Sequence, residues 1–255
     1  MIGRLLEKFR NKPSREKYGI PQNQVVYAIG DIHGRADLLR RLHDLIIQDT
    51  DDRQHEKRTL VYLGDYVDRG PYVRETVEML INEAPSGFER KFLMGNHEQY
   101  LLNFLEEPMV LQTWIIIGGH STLLSYGVRP PSSGFTHDRA QEVRQEFANA
   151  VPESHLNFFK NLQPFFKVGD FLFVHAGIRP GLKLEKQKFE DLYWIRDEFL
   201  SCTVGHGIKV IHGHTIEDEV QVRSNRVGID TGAYATGVLT SAVIEGCEIR
   251  FLSTR

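Results

Sequence analysis

The chain has almost no cysteine: Cys202 and Cys247 are the only two in 255 residues, too few for a disulfide framework. Neither has an arginine six residues further on, so a cysteine-nucleophile phosphate loop is excluded. An excess of charge of one sign is missing as well. Against 34 acidic side chains stand 31 basic ones, and a net charge of −3 creates no field that would draw the chain to nucleic acid. No apolar run is long enough to span a bilayer. The opening MIGRLLEKFRNK sets Ile2, Leu5, Leu6 and Phe9 near one face of a short helix, too brief and interrupted for a signal-peptide core and a poor membrane anchor. Low-complexity tracts, solenoid-length repeats and interdomain linkers are also lacking. These absences predict an N-terminal extension over 1–20 and a single domain over 21–255, cytoplasmic and in a reducing compartment, with no stable membrane insertion.

What is present is a 41% hydrophobic composition organised in strand-sized blocks. Val25 to Ile29 is a continuous, β-branched-rich run that predicts a buried strand ending at Gly30-Asp31. Leu38, Leu39, Leu42, Leu45 and Ile46 then recur at helix spacing, which completes the first half of a βαβ unit. Leu60 to Leu63 and a helix from Val73 to Ile81, introduced by Pro71, repeat the pattern, and Phe92 to Met94 gives a third strand. From about 99 to 167 the strand periodicity gives way to helical stretches broken by prolines, a helical insertion. Strands resume at 171–174, 208–211 and 227–229, and 238–244 with 248–252 forms a hairpin through Glu245-Gly246-Cys247.

Asp, His or Asn follows the end of one apolar run after another: Gly30-Asp31-Ile32-His33-Gly34, Gly64-Asp65-Tyr66-Val67-Asp68-Arg69-Gly70, Gly95-Asn96-His97-Glu98, Val174-His175-Ala176-Gly177 and His212-Gly213-His214. The carboxyl ends of such strands are where α/β sheets bind ligands. Carboxylate, imidazole and amide oxygen without thiolate is a donor set for manganese, iron or zinc in a catalytic site, not for a structural zinc cage. Taken singly, Asp68-Arg69 is an ordinary solvated pair and Asn96 an ordinary turn residue.

Together the five segments resemble, in order and over about Val25 to Ile244, the signature set of the phosphoprotein phosphatases, the metal-dependent serine/threonine phosphatases. GDIHGR, Trp194-Ile195-Arg196-Asp197 and Ile229-Asp230-Thr231-Gly232-Ala233 look most like the compact bacterial and phage-type members. The resemblance implies an α/β calcineurin-like metallophosphoesterase fold, with two central mixed β-sheets flanked by helices. It also implies two divalent ions, manganese first with iron or zinc as alternatives. One ion would be held by Asp31, His33 and Asp65, the other by Asp65, Asn96, His175 and His214. A hydroxide activated between them would attack phosphorus directly. By the same resemblance His97 protonates the leaving alkoxide, Asp68 orients His97, and Arg69 and Arg196 clamp phosphate oxygens. His212 is then a strand-end neighbour and not a ligand.

The activity so implied is dephosphorylation of phosphoserine and phosphothreonine in proteins or peptides. Symmetrical diadenosine tetraphosphate hydrolases are the nearest alternative, although they commonly carry glutamine where this chain has His33. A catalytically dead scaffold of the same fold is an alternative of another class, and it would have lost ligands that are all present here.

Overall fold

The computed structural model describes residues 18–51, 57–131 and 136–255. The amphipathic reading of Ile2 to Phe9 lies outside them. The first sheet is formed by β1 (Gln24–Ile29), β2 (Lys57–Tyr62), β3 (Glu89–Phe92), β9 (Thr240–Glu245) and β10 (Glu248–Ser253), in the order β10-β9-β1-β2-β3. β1, β2 and β3 run parallel, while β9 and β10 are antiparallel additions. The second sheet combines β4 (Phe165–Val168), β5 (Phe171–Val174), β6 (Lys209–His212), β7 (Gln221–Val222) and β8 (Arg226–Gly228), in the order β4-β5-β6-β8-β7. Its inner strands β5, β6 and β8 are parallel and its edges antiparallel. The two mixed sheets expected from the sequence are both present.

Side chains alternate along each strand, and here both faces are covered. Val26, Ala28, Val61 and Ala242 of the first sheet meet Phe171, Phe173, Ile211 and Val227 of the second in a shared layer. Val25, Tyr27, Ile29, Leu60 and Tyr62 face the other way, into a core built with the helices. That core receives α1 (Ala36–Asp51) and α2 (Val73–Glu78), the latter running on as a wider π-helical turn over Met79–Glu83. It also receives α3 (Asn96–Glu106), α4 (Leu111–Trp114), α5 (His120–Ser125), α6 (His137–Ala150) and α7 (Glu153–Lys160). The outer face of the second sheet packs Leu172, Val174 and Val210 against α8 (Phe189–Trp194) and α9 (Asp197–Leu200). A last short helix, α10 (Ala233–Thr236), interrupts the link from β8 to β9. Among the described residues no helix is long and apolar enough to cross a membrane.

Candidate metal centre

The carboxyl ends of β1, β2, β5 and β6, with the start of α3, bring His33, Asp65, His97, His175 and His214 to one place. The backbone there is forced. Six non-glycine residues have positive φ among those described, and five of them are His33, Asp65, Asp68, Arg69 and His214. Such conformations cost roughly 1–3 kcal/mol each and persist only where the surroundings dictate them. Part of the dictation is close approach: a Cβ on Gly95 would lie 2.2 Å from Asp65 Oδ1, so only glycine admits that carboxylate.

Asp65 sits between two groups of donors. On one side His33, Asp65 and His97 bring ligand atoms together, and on the other Asp65, His175 and His214 do the same. The Asp65 oxygens lie 3.4 Å from both His33 Nε2 and His175 Nε2. Asn96 Oδ1 is 2.9 Å from His175 Nε2 and His214 Nδ1 is 3.2 Å from it, so four donors converge in the second group. Ring orientation is fixed from behind. His33 Nδ1–H donates to the Val67 carbonyl at 2.8 Å and His175 Nδ1–H to the Leu63 carbonyl at 2.9 Å, leaving each Nε2 lone pair aimed inward. The Nε2 atom of His33, which faces Asp65, is buried without a hydrogen-bond partner. A buried polar atom without a partner is costly, and a divalent cation would satisfy it, so the residues present fit such an ion.

Asp31 lies outside both close groups. Its carboxylate accepts the His214 backbone N–H, at 3.0 Å to Oδ2, and it shares a hydrogen bond with Asp230. Burial, then the charges of Asp230 and Asp65, push Asp31 well above the carboxylate range; burial lifts Asp230 to about 6. Asp230 has no role in the sequence reading, although it follows an apolar run as the other site carboxylates do.

The protonation pattern divides the histidines by task. Burial holds His33 and His175 low, and burial followed by His175 holds His214 at about 2, so all three are neutral donors. His97 goes the other way: burial opposes its charge, but the Asp65 and Asp68 carboxylates raise it above the ordinary histidine value. Burial alone would raise Asp65, yet the four surrounding histidines hold it below the usual carboxylate range.

His97 Nδ1–H donates to Asp68 Oδ2 at 2.6 Å, as the orienting role requires. Asp68, itself fully buried, accepts also from Trp114 Nε1–H at 2.9 Å and from the Thr122 hydroxyl. Neither of these helical-insertion residues stands out in the sequence. Glu98 is the second omission: its two oxygens accept the backbone N–H groups of Asp65, Tyr66, Val67 and Gly95 at 2.7–3.1 Å, fixing the loop after β2. Burial and the adjacent Asp65 push Glu98 up to about 8.

Arg69 is half-buried beside the acid, with Nη2 3.2 Å from His97 Nε2, and its backbone N–H donates to the Gly118 carbonyl. Gly118 has φ 124°, and a Cβ there would press on Arg69 Cγ at 2.7 Å, while a Cβ on the adjacent Gly119 would lie 2.6 Å from the Trp114 ring, so neither position admits a side chain. Arg196 is exposed at the start of α9 and donates to Thr215 Oγ1 at 3.1 Å, its charge felt at His175 and His214. His212 packs edge-on against Phe199 and joins neither donor group.

The family model of calcineurin-like phosphoesterases matches residues 25–230. An asymmetrical bis(5′-nucleosyl)-tetraphosphatase, PrpE of Bacillus mycoides (strain KBAB4), is 26% identical over 83% of this chain and 87% of its own. Serine/threonine-protein phosphatase 2 of Salmonella typhimurium (strain LT2) is 25% identical over 84% of this chain and 90% of its own. A solved structure provisionally described as a diadenosine tetraphosphatase superposes with a TM-score of 0.62 at 19% identity, covering 92% of this chain and 98% of that one. With the strand-end donors, the paired mixed sheets and a model match over most of its length, the chain belongs to the calcineurin-like phosphoesterases and hydrolyses phosphoesters.

Proposed function

We propose that this chain is a two-ion phosphohydrolase whose substrates are dinucleoside tetraphosphates. The observation that carries the chemistry is Asp65, a single buried carboxylate shared by two donor groups. Divalent cations held by Asp65 with His33 on one side and with Asn96, His175 and His214 on the other would neutralise charge on phosphate oxygens and make water a better nucleophile. The chain's own residues do the rest. Arg69 and Arg196 offer guanidinium donors to non-bridging oxygens, and a planar guanidinium can bind two at once. A water oxygen bonds to phosphorus as its proton passes to solvent, a phosphoanhydride P–O bond breaks, and the departing nucleotide takes the electron pair with a proton from His97, which solvent then replaces. Asp68 keeps His97 charged and aimed, and Glu98 keeps the loop bearing Asp65 in place.

The substrate reading is supported by the Bacillus mycoides relative, which aligns over most of both chains. The hydrolases weighed against His33 in the sequence were symmetrical ones, whereas this relative is asymmetrical. A second reading, phosphoserine and phosphothreonine in proteins, is favoured by the buried Asp68–His97 pair, since an alkoxide needs a proton more than a nucleotide does. The Salmonella typhimurium relative supports it too.

The deciding experiment incubates the manganese-loaded protein with diadenosine tetraphosphate and with phosphoserine, phosphothreonine and phosphotyrosine peptides. The expected result is a kcat/KM at least about tenfold higher for the dinucleotide. AMP with ATP as products would mark asymmetrical cleavage, and ADP alone symmetrical cleavage. A clear preference for the peptides would overturn the proposal in favour of the second reading.

A further inference from the structure

Two partly exposed aromatic rings stand at the edge of the metal centre, one beside each donor group. Tyr234 meets the His33 ring edge-on at 5.5 Å, with the Arg69 guanidinium 4.8 Å from its centroid. Trp194 lies 6.3 Å from the His214 ring, also edge-on. Tyr234 is 37% exposed and Trp194 36%, so each is anchored over most of its surface yet keeps ring area open to solvent.

Both rings are held by construction. Tyr234 rides on α10, whose Ala233 carbonyl accepts Arg35 Nη1 at 2.8 Å, which ties it to the segment bearing His33. The Thr236 hydroxyl and the Gly232 N–H brace the same loop onto the Thr231 carbonyl and Asp230. Trp194 ends α8, which Arg179 grips through both oxygens of Asp191, at 3.0 and 2.6 Å, and through Glu198 of α9. Its indole N–H donates to Gln99 Oε1 at 2.6 Å and its ring packs against Tyr100. An exposed aromatic with no task is free to be mobile; these two are fixed, on short helices, each by an arginine that touches no donor atom of the centre.

We infer that Trp194 and Tyr234 are nucleobase platforms, which set the specificity of the site for a polyphosphate chain carrying a base at either end. This rests on the dinucleoside tetraphosphate reading and deepens it. A base presents a flat π-face whatever its identity, and stacking on a rigid ring loses little rotamer freedom. The donor groups and arginines between the two rings recognise phosphate only. The rings supply what separates a dinucleotide from inorganic polyphosphate.

The test compares kcat/KM for diadenosine tetraphosphate with kcat/KM for inorganic tetraphosphate in the wild type, Trp194→Leu, Trp194→Phe and Tyr234→Leu. The ratio is expected to fall about tenfold in each leucine variant, the scale on which base–aromatic stacking is lost, and to recover largely in Trp194→Phe. A second readout needs no turnover. The chain has two tryptophans and Trp114 is fully buried, so quenching of tryptophan fluorescence by AMP reports Trp194. AMP should quench where inorganic phosphate does not, and Trp194→Phe should abolish the effect. A wild-type enzyme that cleaves the dinucleotide, with an unchanged ratio in all three variants and AMP quenching intact in Trp194→Phe, overturns the platforms alone. A wild type that cleaves phosphopeptides and leaves the dinucleotide intact overturns the substrate reading and the platforms with it.

Discussion

On the side of His33 and His97, side chain after side chain at the centre is tied from behind. Asp68 accepts from Trp114, Thr122 and His97; Glu98 accepts four backbone N–H groups; Arg69 is strapped to Gly118. On the side of His214 the arginine has less behind it: the exposed Arg196 side chain makes one hydrogen bond among the described residues, to Thr215 Oγ1. Of the five strained site residues, His33, Asp68 and Arg69 belong to the first side and His214 to the second, with Asp65 shared between them. The difference tracks the work. Delivering a proton tolerates little error in position, so that half is over-determined. Gripping an anion of variable shape tolerates more, and that half is open.

The whole comparison presupposes ions at Asp65, and removing them is the most drastic way to break it. Chelation should reduce hydrolysis to background, with manganese restoring it and a saturated protein holding two ions by elemental analysis. Full activity without metal, or saturation at one ion, would refute the paired arrangement. Next in size is His97→Asn, expected to keep both ions and to lose roughly 10²–10⁴ in kcat on phosphoserine peptides. The loss should shrink for p-nitrophenyl phosphate, whose leaving group needs no proton; an equal loss on both esters would show that His97 acts by positioning or charge.

Trp114→Phe sharpens the same half. It removes one donor to Asp68 and leaves an aromatic in the core, so kcat on the alkyl ester should drop about tenfold while the aryl ester is spared. An equal drop on both substrates would assign Trp114 to packing. The smallest effect is expected on the open side. Arg196→Ala should weaken inhibition by inorganic phosphate or vanadate about three- to tenfold and leave metal content unchanged, because one exposed guanidinium is removed from the ligand and none from the ions. If Arg196→Ala proves as damaging as His97→Asn, the division between a braced and an open half is wrong.

The inner strands were legible in the sequence because both their faces are buried, so Val25–Ile29 and Phe171–Val174 appear as unbroken apolar runs, whereas their grouping into two mixed sheets came from the family resemblance. β4 and the two-residue β7 lie at an edge of the second sheet and escaped. Their half-exposed side chains give no such run. The donors were legible because each follows a strand within a few residues. Trp114 and Thr122 were not, since they reach Asp68 from 46 and 54 positions away and a sequence does not display that proximity. Glu98 left a trace: three residues after the N-cap Gly95, at the start of α3, it accepts the Gly95 N–H as the acidic residue of a capping box does, although glycine has no side chain to return the bond. What that position conceals is the extra duty of holding Asp65, Tyr66 and Val67.

That duty bears on how the molecule assembles. The loop after β2 satisfies three of its amides only through a carboxylate some thirty positions later in the chain, 31 to 33 residues away. Asp65 therefore takes its final shape only when α3 has docked against the first sheet, and a chain in which β1 and β2 have paired while α3 is loose has a scaffold without a working centre. The same linkage operates in reverse in the native state: an excursion of α3 that withdraws Glu98 exposes the amides of Asp65, Tyr66, Val67 and Gly95 together. Those four should exchange hydrogen as one cooperative unit, so that the centre is lost as a whole and not by degrees.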